Sequence, residues 1–314
     1  MNIYDKKYDL LVFGEPMVQY TIKSKNVANE KLENPSLGGE DVFVAATVAK
    51  LGYKCGFFSP IAKDPYEKLI KSELEKFNIS AENCVSGVGF NGIEIVSDKD
   101  NELREFFYNR PAGFVDSVIQ PNLNKELINQ CRMIYASSAF TLSSPEARTL
   151  VFKSFLHAHY NNIFVAFDPN VRLHRHNLTQ VRETIWMLMP FIDFFSISMA
   201  SGEMEAIFDN NDPIDVALNL LEKNVRYVAI RNGCKNVLFA FRDENDGKRK
   251  YCEIPVQKVD NGYLSYSGAV FNGAFLSTFL QEATPLQAAQ YATNYASEKC
   301  RKGNSLASIF SADA

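Results

Sequence analysis

The sequence has few of the residues that build metal centres, disulfide frameworks or nucleic-acid surfaces. Its 314 residues include only 4 histidines, and none of its 6 cysteines forms a Cys-x-x-Cys pair. Neither a structural zinc site nor a disulfide framework is therefore predicted. The formal net charge is −4, and the basic run Lys248-Arg249-Lys250 is short and local. A general nucleic-acid surface needs clustered Lys and Arg, so nucleic acid is not an expected partner.

Long apolar runs are also missing. No stretch approaches the roughly 18 apolar residues that a membrane-spanning helix needs. The polar and charged segment 1–8 lacks the apolar centre of a signal peptide. We therefore expect a cytoplasmic protein with free thiols and no membrane partner. The 46% hydrophobic and 22% charged composition is typical of a globular protein with a substantial core, and this length fits one large α/β domain.

Continuous apolar runs alternate with amphipathic segments along most of the chain. The run 9–13 ends at Gly14-Glu15, and the run 162–167 ends at Asp168, as buried parallel strands do before a functional loop. Helices are predicted between such runs, one of them capped by Asp64 before Pro65, and another burying Trp186 in the core. The alternation predicts an α/β fold with a doubly wound, mostly parallel sheet, which binds ligands at the carboxyl ends of its strands.

Two segments interrupt this rhythm. The segment 16–37 is mixed polar with weak alternation, and the segment 88–114 alternates around the turn-rich tip 97–101, which predicts a hairpin. Together they predict a small antiparallel sheet that acts as a lid on the parallel domain.

The segment Ser267–Phe275 has the pattern of a tight turn that runs into a helix. Its small residues, among them Gly268 and Ala269, allow the start of the helix to approach another group closely. The first amides of a helix lack intrahelical acceptors, and the macrodipole places partial positive charge there. The segment is therefore a predicted site for an anion such as phosphate.

Five motifs occur in a fixed order along the chain. They are Phe13-Gly14-Glu15-Pro16-Met17; Gly38-Gly39 before a helix ending Ala49-Lys50-Leu51-Gly52, then Asp64-Pro65-Tyr66; Phe106-Phe107-Tyr108-Asn109-Arg110-Pro111-Ala112; Phe167-Asp168-Pro169-Asn170-Val171-Arg172; and Phe271-Asn272-Gly273-Ala274-Phe275. Each motif alone is weak, but the ordered set resembles the ribokinase-like, or PfkB, family of sugar kinases. The pattern is most like that of the 2-keto-3-deoxygluconate kinases.

This resemblance implies one ribokinase-like three-layer α/β domain over 1–314, with a lid formed by about 16–37 and 88–114. It implies transfer of the ATP γ-phosphoryl group, with Mg²⁺, to a hydroxyl of a sugar or sugar acid. An aspartate base and helix-start amides perform this chemistry. A homodimer through the lid edge is a further expectation.

The resemblance also assigns residues to roles. The catalytic turn is Ser267, Gly268 and Ala269; substrate contacts are Glu15, Gly38, Gly39, Phe43, Tyr108, Arg110 and Arg172; nucleotide or phosphate contacts are Asp168, Asn170, Glu205, Arg231, Gly233 and Asn272, with Glu205 as an indirect magnesium residue. Two alternatives stay open. Arg110 and Arg172 either bind a sugar-acid carboxylate or form ion pairs, and Asp168 either lies near the phosphates or caps a helix.

Several positions depart from the family pattern. Tyr266-Ser267-Gly268-Ala269 stands where the family has Gly-Ala-Gly-Asp, so a methyl group replaces the base. Phe43 replaces an asparagine that contacts sugar hydroxyls, and Asn236 replaces the second glycine after Gly233. The Asn-x-x-Glu magnesium motif, aligned with Gly202-Glu203-Met204-Glu205, has lost its asparagine.

Two hypotheses remain. The first is a sugar or sugar-acid kinase that is slow or takes its base from elsewhere. The second is a non-catalytic descendant that acts as a ligand sensor or binding subunit. Losing a general base costs about 10²–10⁴-fold in rate, so weak transfer is compatible with both.

Overall fold

The computed structural model describes residues 6–22, 32, 34–97, 106–109, 124–171, 177–243, 245–260 and 262–310. The strands are β1 (Tyr8–Phe13), β2 (Met17–Ile22), β3 (Ser36–Gly38), β4 (Cys55–Phe58), β5 (Pro60–Ala62), β6 (Ile79–Ser80), β7 (Val85–Gly87), β8 (Ile93–Ser97), β9 (Phe106–Asn109), β10 (Cys131–Ser137), β11 (Phe164–Asp168), β12 (Phe194–Ser198), β13 (Tyr227–Arg231), β14 (Asn236–Arg242) and β15 (Arg249–Pro255). The helices are α1 (Glu40–Lys50), α2 (Glu67–Lys76), α3 (Lys125–Asn129), α4 (Ser138–Thr141), α5 (Pro145–Tyr160), α6 (Leu178–Leu188), α7 (Glu203–Phe208), α8 (Pro213–Glu222), α9 (Ser267–Phe279), α10 (Pro285–Lys302) and α11 (Ala307–Phe310).

The main sheet of the described chain has nine strands in the order β15-β14-β13-β12-β11-β10-β1-β4-β6. Neighbours from β13 to β6 are parallel, whereas β14 and β15 are added antiparallel at one edge. Apolar side chains on both faces bury the parallel strands, and this favours helices on both sides. The predicted α/β class with a mostly parallel, doubly wound sheet is confirmed.

Two hydrophobic cores lie on opposite faces of this sheet. Leu10 and Val12 pack on the face covered by α1, α9 and α10, and Leu11 and Phe13 pack on the face covered by α5, α6 and α8. Successive side chains of a strand point to opposite faces, so one apolar run supplies both cores. The result is a three-layer arrangement whose helix α9 crosses the sheet on the same face as α1.

A separate sheet has the order β3-β2-β8-β9. The predicted excursion and hairpin supply its strands, but the expectation of a purely antiparallel sheet is wrong, because the central pair β2 and β8 runs parallel. A parallel neighbour needs a long crossover, and the chain between β2 and β8 provides one by passing through α1 and α2. A further small parallel sheet pairs β5 with β7.

Two local predictions are wrong. Asp64 does not cap a helix that starts at Tyr66; its carboxylate accepts the backbone N–H of Tyr66 at 2.8 Å, and α2 begins at Glu67. Trp186 is 46% exposed and meets Phe208 edge-on, because it lies on the outer side of α6. Within the described segments, no helix is both long enough and apolar enough to cross a membrane.

Candidate functional site

A cavity of about 330 Å³ opens at the carboxyl ends of the central parallel strands. Asn170 and Val171 follow β11, Ser198 ends β12, and Arg231 ends β13, and all four residues line it. The volume lies within the range of about 300–1,000 Å³ that small-molecule sites occupy. Doubly wound sheets bind ligands at this edge, so the cavity is the candidate site.

The lining of the cavity combines apolar and polar residues. The apolar ones are Val237, Val256, Val259, Leu264 and Ala296. The polar part that surrounds the start of α9, here called the polar end, includes Asn170, Glu203, Arg231, Ser267 and Gly268, and Glu40 also lines the cavity. Apolar side chains suit a flat aromatic group, and a guanidinium beside helix amides suits an anion.

Helix α9 begins at the polar end, as the sequence predicts. Ser267 and Gly268 line the cavity, and Ala269 is fully buried in the first turn. This first turn carries no acidic residue. It therefore presents backbone amides and partial positive charge to the cavity, and it supplies no carboxylate that could take a proton.

Arg231 lies directly against this helix start. A Cβ atom added to Gly268 would lie only 1.9 Å from Nη1 of Arg231, so glycine is needed for this close approach. Nη2 of Arg231 donates to Oδ2 of Asp168 at 2.7 Å. The guanidinium thus adds a fixed positive charge to the helix amides at the polar end.

Asp168 is fully buried, and hydrogen bonds hold both of its oxygens. Asn272 Nδ2 donates to Oδ2 at 2.6 Å, and the backbone N–H of Asn170 donates to Oδ1 at 3.1 Å. Burial raises the pKa of Asp168, while the Arg231 charge and the Asn272 hydrogen bond oppose that rise. Asp168 therefore holds Arg231 against the start of α9 and also binds Asn272 in the second turn of that helix.

Glu203, rather than the predicted Glu205, lies against the cavity. Glu205 is exposed on α7, whereas Glu203 is buried and lines the cavity. Glu203 accepts the backbone N–H groups of Val171 and Ser198. Burial, followed by the charge of Asp168, raises the pKa of Glu203 to about 8. An alignment shifted by two residues places Glu203 at the glutamate position of the motif, with Ala200 in place of the asparagine.

Phe43 and Tyr266 fill the space between the cavity and the four-stranded sheet. Their buried rings stack with centroids 4.0 Å apart and planes at 13°. The Tyr266 hydroxyl donates to Oε1 of Glu94 at 2.6 Å. The same oxygen accepts the backbone N–H of Gly39 at 3.0 Å. Gly38 and Gly39, the predicted glycine pair, therefore lie beside polar side chains of the small sheet. The stacked rings of Phe43 and Tyr266 fill the space between these side chains and the cavity.

Gln19 and Glu94 are site-region residues that sequence reasoning missed. They pair in register between β2 and β8, and both are buried. A Cβ atom at Gly38 would lie 2.0 Å from Oε1 of Glu94, so Gly38 makes room for that carboxylate. The alternation of polar and apolar residues in β2 and β8 indicates only which face of each strand a side chain occupies. Nothing in the sequence indicates that these two distant strands pair with each other.

The remaining predicted residues have the following places. Tyr108 is half-buried on β9 and pairs with Glu94. Glu15 is buried, and its backbone N–H lies 3.4 Å from Oδ2 of Asp41. Gly233 lines the cavity with a φ of 57°, which favours glycine. Arg110 and Arg172 lie outside the described residues.

The fold and the cavity define a class: a doubly wound α/β protein with a helix start facing a cavity of small-molecule size at the carboxyl ends of its strands. The sequence matches the pfkB family carbohydrate kinase over residues 7–311. The chain belongs to this family of carbohydrate kinases.

Individual relatives are distant but cover most of the chain. A probable fructokinase-5 of Arabidopsis thaliana is 25% identical over 281 residues, which cover 85% of this chain and 81% of that protein. A 2-dehydro-3-deoxygluconokinase of Bacillus subtilis is 25% identical and covers 74% of this chain and 72% of that protein. The crystal structure of a putative ribokinase II from E. coli in complex with ATP and Mg²⁺ has the same fold, with a TM-score of 0.81, 17% identity and coverage of 96% of this chain and 98% of that one.

Proposed function

We propose that the chain binds ATP in the cavity, with the adenine against the apolar lining side chains and the phosphates at the polar end. The observation that carries the proposal is the contact between Arg231 and Gly268, which joins a guanidinium to the first amides of α9. Together they form an anion site in a cavity that also has apolar lining side chains. Family membership supports the same ligand.

We further propose that the reaction is the family's, phosphoryl transfer to a hydroxyl of a sugar or sugar acid, at a strongly reduced rate. The helix-start amides and Arg231 stabilise negative charge on the phosphoryl group during transfer. The step that lacks a partner is proton removal from the acceptor hydroxyl, because position 269 carries a methyl group. The loss of such a base lowers the rate by about 10²–10⁴-fold.

A second candidate is a non-catalytic nucleotide-binding subunit. The stacked pair of Phe43 and Tyr266 favours it, since the pair fills the space between the helix start and the small sheet. In this reading the small sheet does not act as a lid that closes on a substrate. The lid role and a homodimer through its edge stay predictions.

Magnesium fits the site only if it binds together with the nucleotide phosphates. Among the described residues, no group of three or more His, Cys, Asp or Glu side chains could hold a metal ion. Mg²⁺ keeps several waters and is commonly held through one or two carboxylates and substrate phosphates. Glu203, which lines the cavity, would orient that hydration, and the ion would neutralise phosphate charge.

Binding of ATP and adenosine, measured by calorimetry, tests the proposed nucleotide site. We expect ATP to bind at least about 10-fold more tightly than adenosine, because charge-assisted phosphate contacts add to the apolar ones. The substitution Gly268→Ala should remove this difference, since its Cβ displaces Arg231 from the helix start. Unchanged adenosine affinity in the variant serves as the control for folding. Equal affinities of ATP and adenosine in the natural chain would contradict the proposal.

The buried glutamate Glu203 gives a second test. The substitution Glu203→Gln should weaken ATP binding in the presence of Mg²⁺ by roughly 10-fold, while binding in excess EDTA changes little, because groups that orient a metal's ligands have effects of that size. The substitution Glu205→Gln, on the exposed side of the same helix, is the matched control. If both variants respond alike to Mg²⁺, the magnesium role of Glu203 is wrong.

A further inference from the structure

Tyr266 connects the cavity to the four-stranded sheet. An acceptor of the phosphoryl group would have to lie in the space that Tyr266 occupies between them. Tyr266 lines the cavity beside Ser267 and Gly268. Its hydroxyl reaches the small sheet, where it donates to Glu94 at 2.6 Å and lies 3.3 Å from Oε1 of Gln19. Tyr266 thus lies between the cavity and the polar side chains of the sheet.

The Tyr266 hydroxyl does not provide hydrogen-bond partners for all the polar groups around it. Gln19 is only 1% exposed, and its Nε2 atom has no hydrogen-bond partner among the described residues. Burying an amide donor without a partner is unfavourable. An amide and a carboxylate on adjacent strands, with the Gly39 amide beside them, match a ligand that carries several hydroxyl groups, because each hydroxyl both donates and accepts.

The backbone of Tyr266 has a conformation that its side chain disfavours. Its φ is 60°, in the left-handed region where glycine is at ease and a bulky residue is an outlier. Such a conformation persists only where the surroundings hold it, and it marks functional positions. Here the holding contacts are the stacking on Phe43 and the hydrogen bond to Glu94.

We propose that the Tyr266 side chain is a built-in occupant of the acceptor pocket, and that it excludes hydroxyl-rich acceptors from the space between the helix start and the small sheet. Tyr266 thus limits which acceptors the proposed site admits. This inference rests on the proposed function, because an acceptor in that space is useful only beside a bound nucleotide.

The ring and the hydroxyl can be tested separately at position 266. Tyr266→Gly removes the ring and suits the left-handed backbone, whereas Tyr266→Phe keeps the ring and loses only the hydroxyl. Tyr263→Gly is the matched control, since Tyr263 lies in the same loop and is 36% exposed. Calorimetry with D-fructose and with 2-keto-3-deoxygluconate, each with and without ATP and Mg²⁺, reports acceptor binding.

We expect Tyr266→Gly to bind at least one of these acceptors 10-fold or more tightly than the natural chain, with Tyr266→Phe and Tyr263→Gly unchanged. If thermal unfolding shows that the glycine variant is not folded, Tyr266→Ala replaces it and is judged by the same criterion. The inference is overturned if the natural chain binds acceptor as tightly as the glycine variant, if Tyr266→Phe behaves like Tyr266→Gly, or if a folded small-residue variant binds neither acceptor. Absence of ATP binding in every variant, natural chain included, would instead overturn the proposed function, while the acceptor titrations without nucleotide still judge Tyr266.

Discussion

The double variant Tyr266→Gly/Ala269→Asp is expected to phosphorylate a sugar or sugar-acid acceptor at least about 10²-fold faster than the natural chain, measured by coupled ADP release. One substitution opens the acceptor space, and the other supplies a carboxylate in the first turn of α9. A general base contributes about 10²–10⁴-fold, and it can act only on an acceptor that is bound. Each single variant should therefore gain little, so the two effects are strongly non-additive.

The variant Tyr266→Gly/Ala269→Asn is the control for this experiment. Asparagine has nearly the shape of aspartate but cannot accept the proton, so it should stay close to Tyr266→Gly alone. Equal rates for the Asp and Asn double variants would show that a base at position 269 is not what the chain lacks. A natural chain that already turns over at ordinary kinase rates would contradict the reduced activity proposed above.

The substitution Arg231→Met is expected to destabilise the protein by about 3–5 kcal/mol, because it leaves the buried carboxylate of Asp168 without its cation. The arginine side chain is 13% exposed and that of Asp168 is 1% exposed, so solvent cannot replace the lost partner. The melting temperature should fall on the order of 10 °C in a thermal unfolding experiment.

The salt bridge between Arg226 and Asp193 provides the comparison. The Arg226 side chain is 52% exposed and lies 3.7 Å from Asp193, so Arg226→Met should cost less than about 1 kcal/mol. The double variant Arg231→Met/Asp168→Asn should recover part of the loss, since it removes the unpaired charge as well. If Arg231→Met unfolds no earlier than Arg226→Met, the Arg231–Asp168 pair does not hold the site together.

Local patterns in the sequence identified the elements that carry the site. The continuous apolar run before Asp168 predicts a buried parallel strand, and the small residues after Ser267 predict a helix start; the structure has both. Direction within a short helix was harder to predict. Gly202 has a φ of 72° at the start of α7, and the turn of that helix sends Glu203 inward and Glu205 outward, which spacing alone did not distinguish.

Long-range contacts were beyond the reach of the sequence. Tyr266 and Glu94 are 172 residues apart along the chain, and their contact depends on how α9 packs against the small sheet. The parallel pairing of β2 with β8 sets Gln19 beside Glu94, and no periodicity in either strand specifies its neighbour. The exposure of Trp186 was also not predictable from local pattern. The sequence of a helix does not specify which of its apolar residues the rest of the protein covers.

By itself, the sequence determined the α/β fold, the family resemblance and the absence of a carboxylate at position 269, because residue identity and short-range periodicity are local properties. Only the tertiary structure decided that Glu203 lines the cavity while Glu205 is exposed, that Arg231 lies against Gly268, and that Tyr266 reaches Glu94. Those facts depend on side chains from distant segments meeting in space, and packing between elements, rather than the pattern within any one of them, sets those distances.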